Sequence, residues 1–335
     1  MIAKLVSART IPSNTAATLS RSLVSRAREH GQVFAAGAIV TGPAILLGSR
    51  QRASRVLAPD FADAVPVARR ASSGTHVFIR ERSTAALFVI ALPTLTALVA
   101  DTRGPTVLNR NVRGWLTGLV RHGAFAQYYG HEWISVQKQP FGLLALTGDA
   151  RGAIAIELWV GIEHPVELDA SLASSTHRHG LRRHARAVAC WNHFASDKPL
   201  DLARIDGIQS SALARYDCAV EPVSAADSDQ LFDEATLAPR PEEPPADARW
   251  FSPSPSEIGW IDVARAPSGA LWVGGDALVT QDASDAIEAT FARPAAERAA
   301  LLRTIVDESI ALGVSPECWL DCGAAVDDGV VSTPS

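Results

Sequence analysis

From Ser83 to Ala100 the chain carries no charged residue, and this stretch constrains the fold more than any other. Its length is borderline for a bilayer span. Pro93, however, divides it into Ala85–Leu92 and Thr94–Ala100, and threonines interrupt the second half. A proline inside a helix removes a hydrogen bond and clashes with the preceding turn. The stretch therefore reads as a fully buried strand followed by a turn and a helix start, which requires a sheet covered on both faces. A second segment supports the sheet. In Ala153–Ile162, Ile154, Ile156, Leu158, Val160 and Ile162 alternate with Ala155, Glu157, Trp159 and Gly161. That period of two gives one bulky apolar face and one smaller or more polar face.

The remaining elements follow from similar local signals. Ser13-Asn14 can cap a helix beginning near Thr15, with Leu19, Leu23, Val24 and Ala27 on one face. Gln32–Val40 and Ala44–Leu47 read as strands, and Gly48-Ser49-Arg50-Gln51 as the loop after them. His76–Ile79 pairs naturally with Ala85–Leu92, and Thr106–Arg121 has the spacing of an amphipathic helix. Trp133–Val136 and Phe141–Leu146 read as strands, and Ser171–His193 and Leu200–Arg215 as helical stretches. No secretory signal is apparent at Met1–Pro12.

Prolines then mark a boundary. Leu237–Glu257 contains six of them among several acidic residues and reads as an extended connector. Beyond it, strands Ile258–Ala264 and Ala270–Val273 and helices Asp282–Phe291 and Ala295–Leu312 make a small α+β unit. The expected division is a domain over 1–222, an acidic proline-rich linker over 223–257, a small C-terminal domain over 258–325 and a tail over 326–335. The fold class is α/β in the broad sense (α+β). It consists of a mixed, largely antiparallel sheet flanked by helices, with the accessory domain appended.

Charge and cysteine usage narrow the function. A formal net charge of −5 argues against a general nucleic-acid binder. Lys4, Lys138 and Lys198 are the only lysines, so any chemistry that needs one has few candidates. The four cysteines are irregularly spaced in a long chain, which suits reduced thiols in a cytoplasmic protein. Cys318 and Cys322 have no matching second pair and read as incidental rather than zinc-binding. The run from His177 to Arg186 is locally basic but lacks regular metal-ligand spacing. It reads as a solvated helix face or a contact for an acidic partner.

The segment most suggestive of chemistry is Val67-Ala68-Arg69-Arg70-Ala71-Ser72-Ser73-Gly74-Thr75-His76-Val77-Phe78. Two guanidiniums supply planar donors for an acid or phosphate, and the small residues after them let backbone N–H groups approach an anion. An exposed arginine pair at a strand start is the structural alternative. The segment resembles the Arg-Arg-small-Ser-Gly-Gly-Gly-Ala-Val signature of lipoate–protein ligases, in the biotin/lipoate ligase superfamily. Ser73 and Thr75 stand where that family usually has glycines. The order of elements is similar as well, and so is a C-terminal strand ending in Gly275-Asp276.

This resemblance implies ATP with Mg²⁺ and lipoate or octanoate as ligands. It also implies acylation of a carrier-domain lysine through an acyl-adenylate. It assigns Arg69, Arg70, Ser72, Ser73 and Gly74 to the phosphate, and adds His76, Gln51 and Gly142 to the substrate- or adenylate-binding set. No metal-ligand motif accompanies them, and neither a nucleic acid nor a membrane is implied as partner. The family's electrophilic lysine lies in a Lys-Ile/Val-Ser/Ala-Gly turn. Here the turn is Gln137-Lys138-Gln139-Pro140-Phe141-Gly142, where Gln139 falls in the lysine's place and Lys138 is one residue away. Two readings stand at this point. Lys138 serves as the catalytic lysine, or the chain is a non-catalytic binding or partner protein on the same fold.

Overall fold

The computed structural model describes residues 1–59, 65–175, 177, 186–237, 247–251 and 254–328. The chain opens with β1 (Ile2–Pro12), α1 (Ser13–His30), β2 (Val33–Thr41) and β3 (Ala44–Leu47). One helical turn, α2 (Ala53–Val56), and the short strands β4 (Val67–Arg69) and β5 (Val77–Ile79) precede β6 (Thr84–Leu92) and α3 (Val107–Arg121). Next come β7 (Ala126–Tyr128), β8 (Trp133–Val136), β9 (Gln139–Gly148) and β10 (Ile154–Gly161). They are followed by α4 (Trp191–Ala195), α5 (Leu202–Ala214), β11 (Ala219–Pro222) and α6 (Ala225–Leu237).

Eight of these strands form one sheet, in the order β11-β1-β2-β6-β10-β9-β8-β7. Only β11–β1 and β1–β2 run parallel; the other neighbours are antiparallel. The uncharged stretch supplies β6, buried between β2 and β10, and no described helix is long and apolar enough to cross a membrane. The alternation of β10 sorts its side chains onto two faces. Ile154, Ile156, Leu158 and Val160 join a core with α3 and α5, while Ala155 and Trp159 join a second core with α1 and α6. A separate three-stranded sheet, β4-β3-β5, carries the arginine pair toward that second face.

The C-terminal unit contains β12 (Arg249–Trp250), β13 (Ser254–Pro255), β14 (Trp260–Arg265), β15 (Leu271–Gly275) and β16 (Leu278–Val279). It continues with α7 (Gln281–Phe291), α8 (Ala295–Glu308), β17 (Ala311–Leu312) and α9 (Pro316–Asp328). Strand β14 lies at its centre, and Phe251, Ile261, Val273, Phe291 and Trp319 form its own core.

Several elements differ from the sequence reading. Met1–Pro12, assigned no element above, includes the strand β1, because its partners β2 and β11 are supplied by distant chain. Helix α1 starts at Ser13, with extended Pro12 at the N-cap and no side-chain cap, so Ser13-Asn14 lie inside the helix rather than capping it. The linker reading of 223–257 is corrected at both ends. Ala225–Leu237 is a helix packed on α1, and Arg249–Trp250 and Ser254–Pro255 pair with β14, while 238–246 and 252–253 lie outside the described residues. Of the helix expected over Ser171–His193, Ser175 and His177 are helical and Trp191–Ala195 is α4, Ser171–Ser174 and Arg186–Cys190 are not helical, and 176 and 178–185 lie outside the described residues. Ala311–Leu312 is a strand against β16, so α8 ends at Glu308. Cys190 precedes α4 rather than lying within a helix, and it is buried with its thiol on the Glu163 carbonyl.

Candidate functional site

Arg69 and Arg70 end a short strand, and β3 fixes that end. Strand β4 runs parallel to β3, and the Arg70 N–H donates to the Leu47 carbonyl at 2.8 Å. From there the two side chains diverge into the interior. Arg69 is 5% exposed and its Nη1 donates to the carbonyls of Gly48 (3.0 Å), Ser49 (3.3 Å) and Gln51 (2.6 Å). It clamps the loop after β3. Arg70 is fully buried, ion-paired with Glu157 at 3.3 Å, donating to the Thr75 carbonyl and lying over the Trp159 ring. Burial depresses the Arg70 guanidinium's pKa more than Glu157 raises it.

Glu157 and Trp159 lie two residues apart on the more polar face of β10, as the alternation indicated. Both are fully buried beneath the loop, and Glu157 Oε2 accepts from Ser72 Oγ (2.8 Å) and from Trp159 Nε1 (2.7 Å). A carboxylate therefore sits where an anion would have to lie against Arg70. The sequence marked Glu157 only as the polar member of an apolar strand. Its partner, 87 residues away, was not legible.

The small-residue run is also engaged. Ser73 forms an isolated bridge with Leu146 of β9; its N–H (2.7 Å) and its hydroxyl (2.9 Å) both donate to the Leu146 carbonyl. The same hydroxyl accepts the Val279 N–H of β16 at 2.9 Å. Gly74 has φ +100°, and a Cβ there would lie 2.6 Å from Leu278 Cδ2. Only glycine fits that backbone shape and spacing. The C-terminal unit thus rests directly on the loop proposed for phosphate.

A second buried cluster joins the two units. Gln51 accepts the Gly48 N–H at 2.8 Å and donates to Asp276 at 2.5 Å. Arg55 bridges Asp262 (2.6 Å) and Asp276 (3.0 Å), with each of the three side chains 1–2% exposed. Burial alone would raise the Asp276 pKa; Arg55, His177 and hydrogen bonds from Arg55 and Gln51 instead hold it at about 2. Arg55 and Asp262 were not singled out from sequence. The one available signal was a carboxylate between Ile261 and Val263 in an otherwise apolar strand.

His76 is 2% exposed, and its ring lies 4.7 Å from that of His177 in an edge-on arrangement. Burial first, then His177, Arg70 and Arg55, push its pKa well below 6.5 despite the pull of Asp276. A histidine held neutral in the folded state takes up its proton on unfolding. Stability is then full above the unfolded pKa and falls as pH drops below about 6.5. The unfolding free energy from urea titration is expected to decline from pH 7 to pH 5, by up to about 1.4 kcal/mol per pH unit from this one group. His76→Phe, compared with wild type by urea titration at each pH, should flatten that decline.

Gly142 and Lys138 lie elsewhere. Gly142 sits in β9 at the irregular pairing with β8, where a Cβ would approach Leu158 to 2.6 Å, so it serves packing. Lys138 and Gln137 form the two-residue turn between β8 and β9, with φ of 64° and 51°. Lys138 is exposed there. The strand from Gln139 to Leu146, about 20 Å long by strand rise, lies between it and the Ser73 bridge. Of the sequence-assigned residues, the fold gathers Gln51, Arg69, Arg70, Ser72, Ser73, Gly74 and His76 into one buried region. Most of the basic run falls outside the described residues.

No family model matches this chain, and no curated protein sequence matches it. Solved structures do match. The P. falciparum LipL1 complex with lipoate aligns at TM-score 0.60 and 10% identity, covering 96% of this chain and 97% of that one. Lipoate-protein ligase A bound with ATP aligns at TM-score 0.53 and 11% identity over 72% of this chain and 97% of that one. The bi-partite lipoate protein ligase of Thermoplasma acidophilum, described with its E2 lipoyl domain, aligns at TM-score 0.52 and 11% identity over 72% and 95%. This chain has the fold of lipoate–protein ligases, at identities that speak to the fold alone.

Proposed function

We propose that this chain is a non-catalytic binding or partner protein on the lipoate-ligase fold, one that pairs with a lipoyl-type carrier domain or another subunit without making an acyl-adenylate. The observation carrying this reading is the buried Arg70–Glu157 pair. Adenylate formation needs cations free to stabilise charge at the α-phosphate and at the acyl oxygen. Arg69 holds three backbone carbonyls, and Arg70 holds a carboxylate. Ser73 is bonded to β9 and to the C-terminal unit. Gln139 and Pro140 occupy the stretch where the family has its lysine. These residues do not fit ATP as a reacting ligand. Mg²⁺ fares no better, because Glu157, Asp262 and Asp276 are each taken by an arginine.

A second reading, recognition of a lipoyl or octanoyl acid without turnover, has one observation in its favour. Arg70 Nε, Thr75 Oγ1, His76 Nδ1 and Glu157 Oε1 are buried and find no hydrogen-bond partner among the described residues. Buried polar atoms without partners are rare and mark places where a small polar molecule can be held.

The test is pyrophosphate release with ATP, Mg²⁺ and lipoate or octanoate, beside titration with a lipoyl-type domain. We expect no release above buffer and saturable binding of the domain. Lys138→Ala should change neither and should shift unfolding by less than about 0.5 kcal/mol, as for most surface positions. Turnover that disappears in Lys138→Ala would overturn the proposal.

A further inference from the structure

On the α3 side of the sheet, away from Arg70 and Glu157, a cavity of about 480 Å³ opens between the two units. Its apolar wall is Leu108 of α3 with Ile258, Leu278 and Leu312 of the C-terminal unit. Tyr128, Tyr129 and His131 form the opposite lip. Small-molecule sites favour such boundaries between units.

Two features make this more than a crevice. The lip is built from consecutive left-handed residues, Gly130 at φ 100° and His131 at φ 61°. A non-glycine residue in that region costs about 1–2 kcal/mol, and such conformations concentrate at ligand sites. The local charge is also one-sided. Glu257 lines the cavity, 3.7 Å from His131 Nδ1, and burial, followed by the charge of Glu132, raises the pKa of the Tyr128 hydroxyl. Among the described residues, no lysine or arginine lines it.

We propose that this cavity binds a small amphiphilic amine, its apolar body against the leucine and isoleucine wall and its ammonium toward Glu257 and the tyrosine lip. The carboxylate and the aromatic rings attract a cation, and the same charges disfavour a carboxylic acid. The proposal does not depend on the catalytic status of the chain: Leu278 backs onto Gly74, but neither arginine of the pair nor Glu157 lines the cavity.

Benzylamine, benzyl alcohol and benzoate share one apolar body and differ in charge, so they serve as probes. Ligand-detected NMR and calorimetry on the full chain at low salt should give the order benzylamine, then benzyl alcohol, then benzoate. Glu257→Gln should weaken benzylamine about fivefold while leaving benzyl alcohol unchanged, the effect of about 1 kcal/mol of lost charge attraction. Asn109 is an exposed lining residue, so Asn109→Trp should block all three probes without unfolding the chain, which circular dichroism checks. Benzoate binding as well as benzylamine, no probe binding at all, or benzylamine binding that survives Asn109→Trp in folded protein would each overturn the proposal. Pyrophosphate release is unaffected by any of these outcomes.

Discussion

Replacing Arg55 with methionine is expected to destabilise the protein by about 3–5 kcal/mol, the cost of stripping the partner from buried carboxylates. Asp262 and Asp276 are 1% and 2% exposed, and Arg55 contacts both. Without it, two carboxylates face each other with little water, and at least one must take up a proton or draw the two units apart. The damage should be local first. Arg55 sits on α2, whereas both carboxylates belong to the C-terminal unit. Limited proteolysis should therefore cut near the boundary before the main sheet unfolds. Methionine keeps the length of the side chain, so lost packing is a minor part of the effect. Adding Asp262→Asn and Asp276→Asn to Arg55→Met should recover much of the loss, because uncharged amides can share hydrogen bonds with each other. Full stability in the single variant, by urea unfolding, would mean the cluster does not join the units.

Glu157→Leu should be comparably damaging, again about 3–5 kcal/mol, since it leaves the Arg70 guanidinium buried with no countercharge. Ser72 and Trp159 lose their acceptor in the same change. Arg70→Met alone should cost a similar amount by stranding Glu157. The informative variant is the double one. A buried ion pair roughly breaks even against an apolar pair of similar volume, so Arg70→Met with Glu157→Leu should lie much closer to wild type than either single change. The two losses simply adding, as measured by urea unfolding of the four proteins, would show that Arg70 does not depend on Glu157. Such a result would return its guanidinium to the pool available for an anionic ligand and weaken the non-catalytic reading.

Much of the architecture could be read along the chain. The uncharged stretch broken by Pro93 gave β6, although the helix start expected over Thr94–Ala100 is turns and bends, and the alternation in Ala153–Ile162 gave β10 with its two faces correctly sorted. The amphipathic spacing of Leu108, Val112, Trp115 and Leu119 gave α3. Each of these signals is a repeat within one segment, which an element must satisfy whatever it packs against. β1 escaped because its burial is irregular and its two neighbours are supplied by remote chain. The helix within the supposed linker escaped because the prolines lie beyond it, after Leu237.

The candidate site divides along the same line. Residue types sufficed to mark Arg69, Arg70 and the small-residue run as unusual, and their concentration in one buried region follows from their adjacency in sequence. What those groups hold was decided by the tertiary structure alone. The guanidinium of Arg70 meets a carboxylate 87 residues away, and Arg55 meets one 221 residues away. A charge pattern is a local property of the chain, whereas the partner that neutralises it is chosen by how distant strands come to lie side by side. The same arginine can face a ligand or a glutamate, and only the folded sheet determines which.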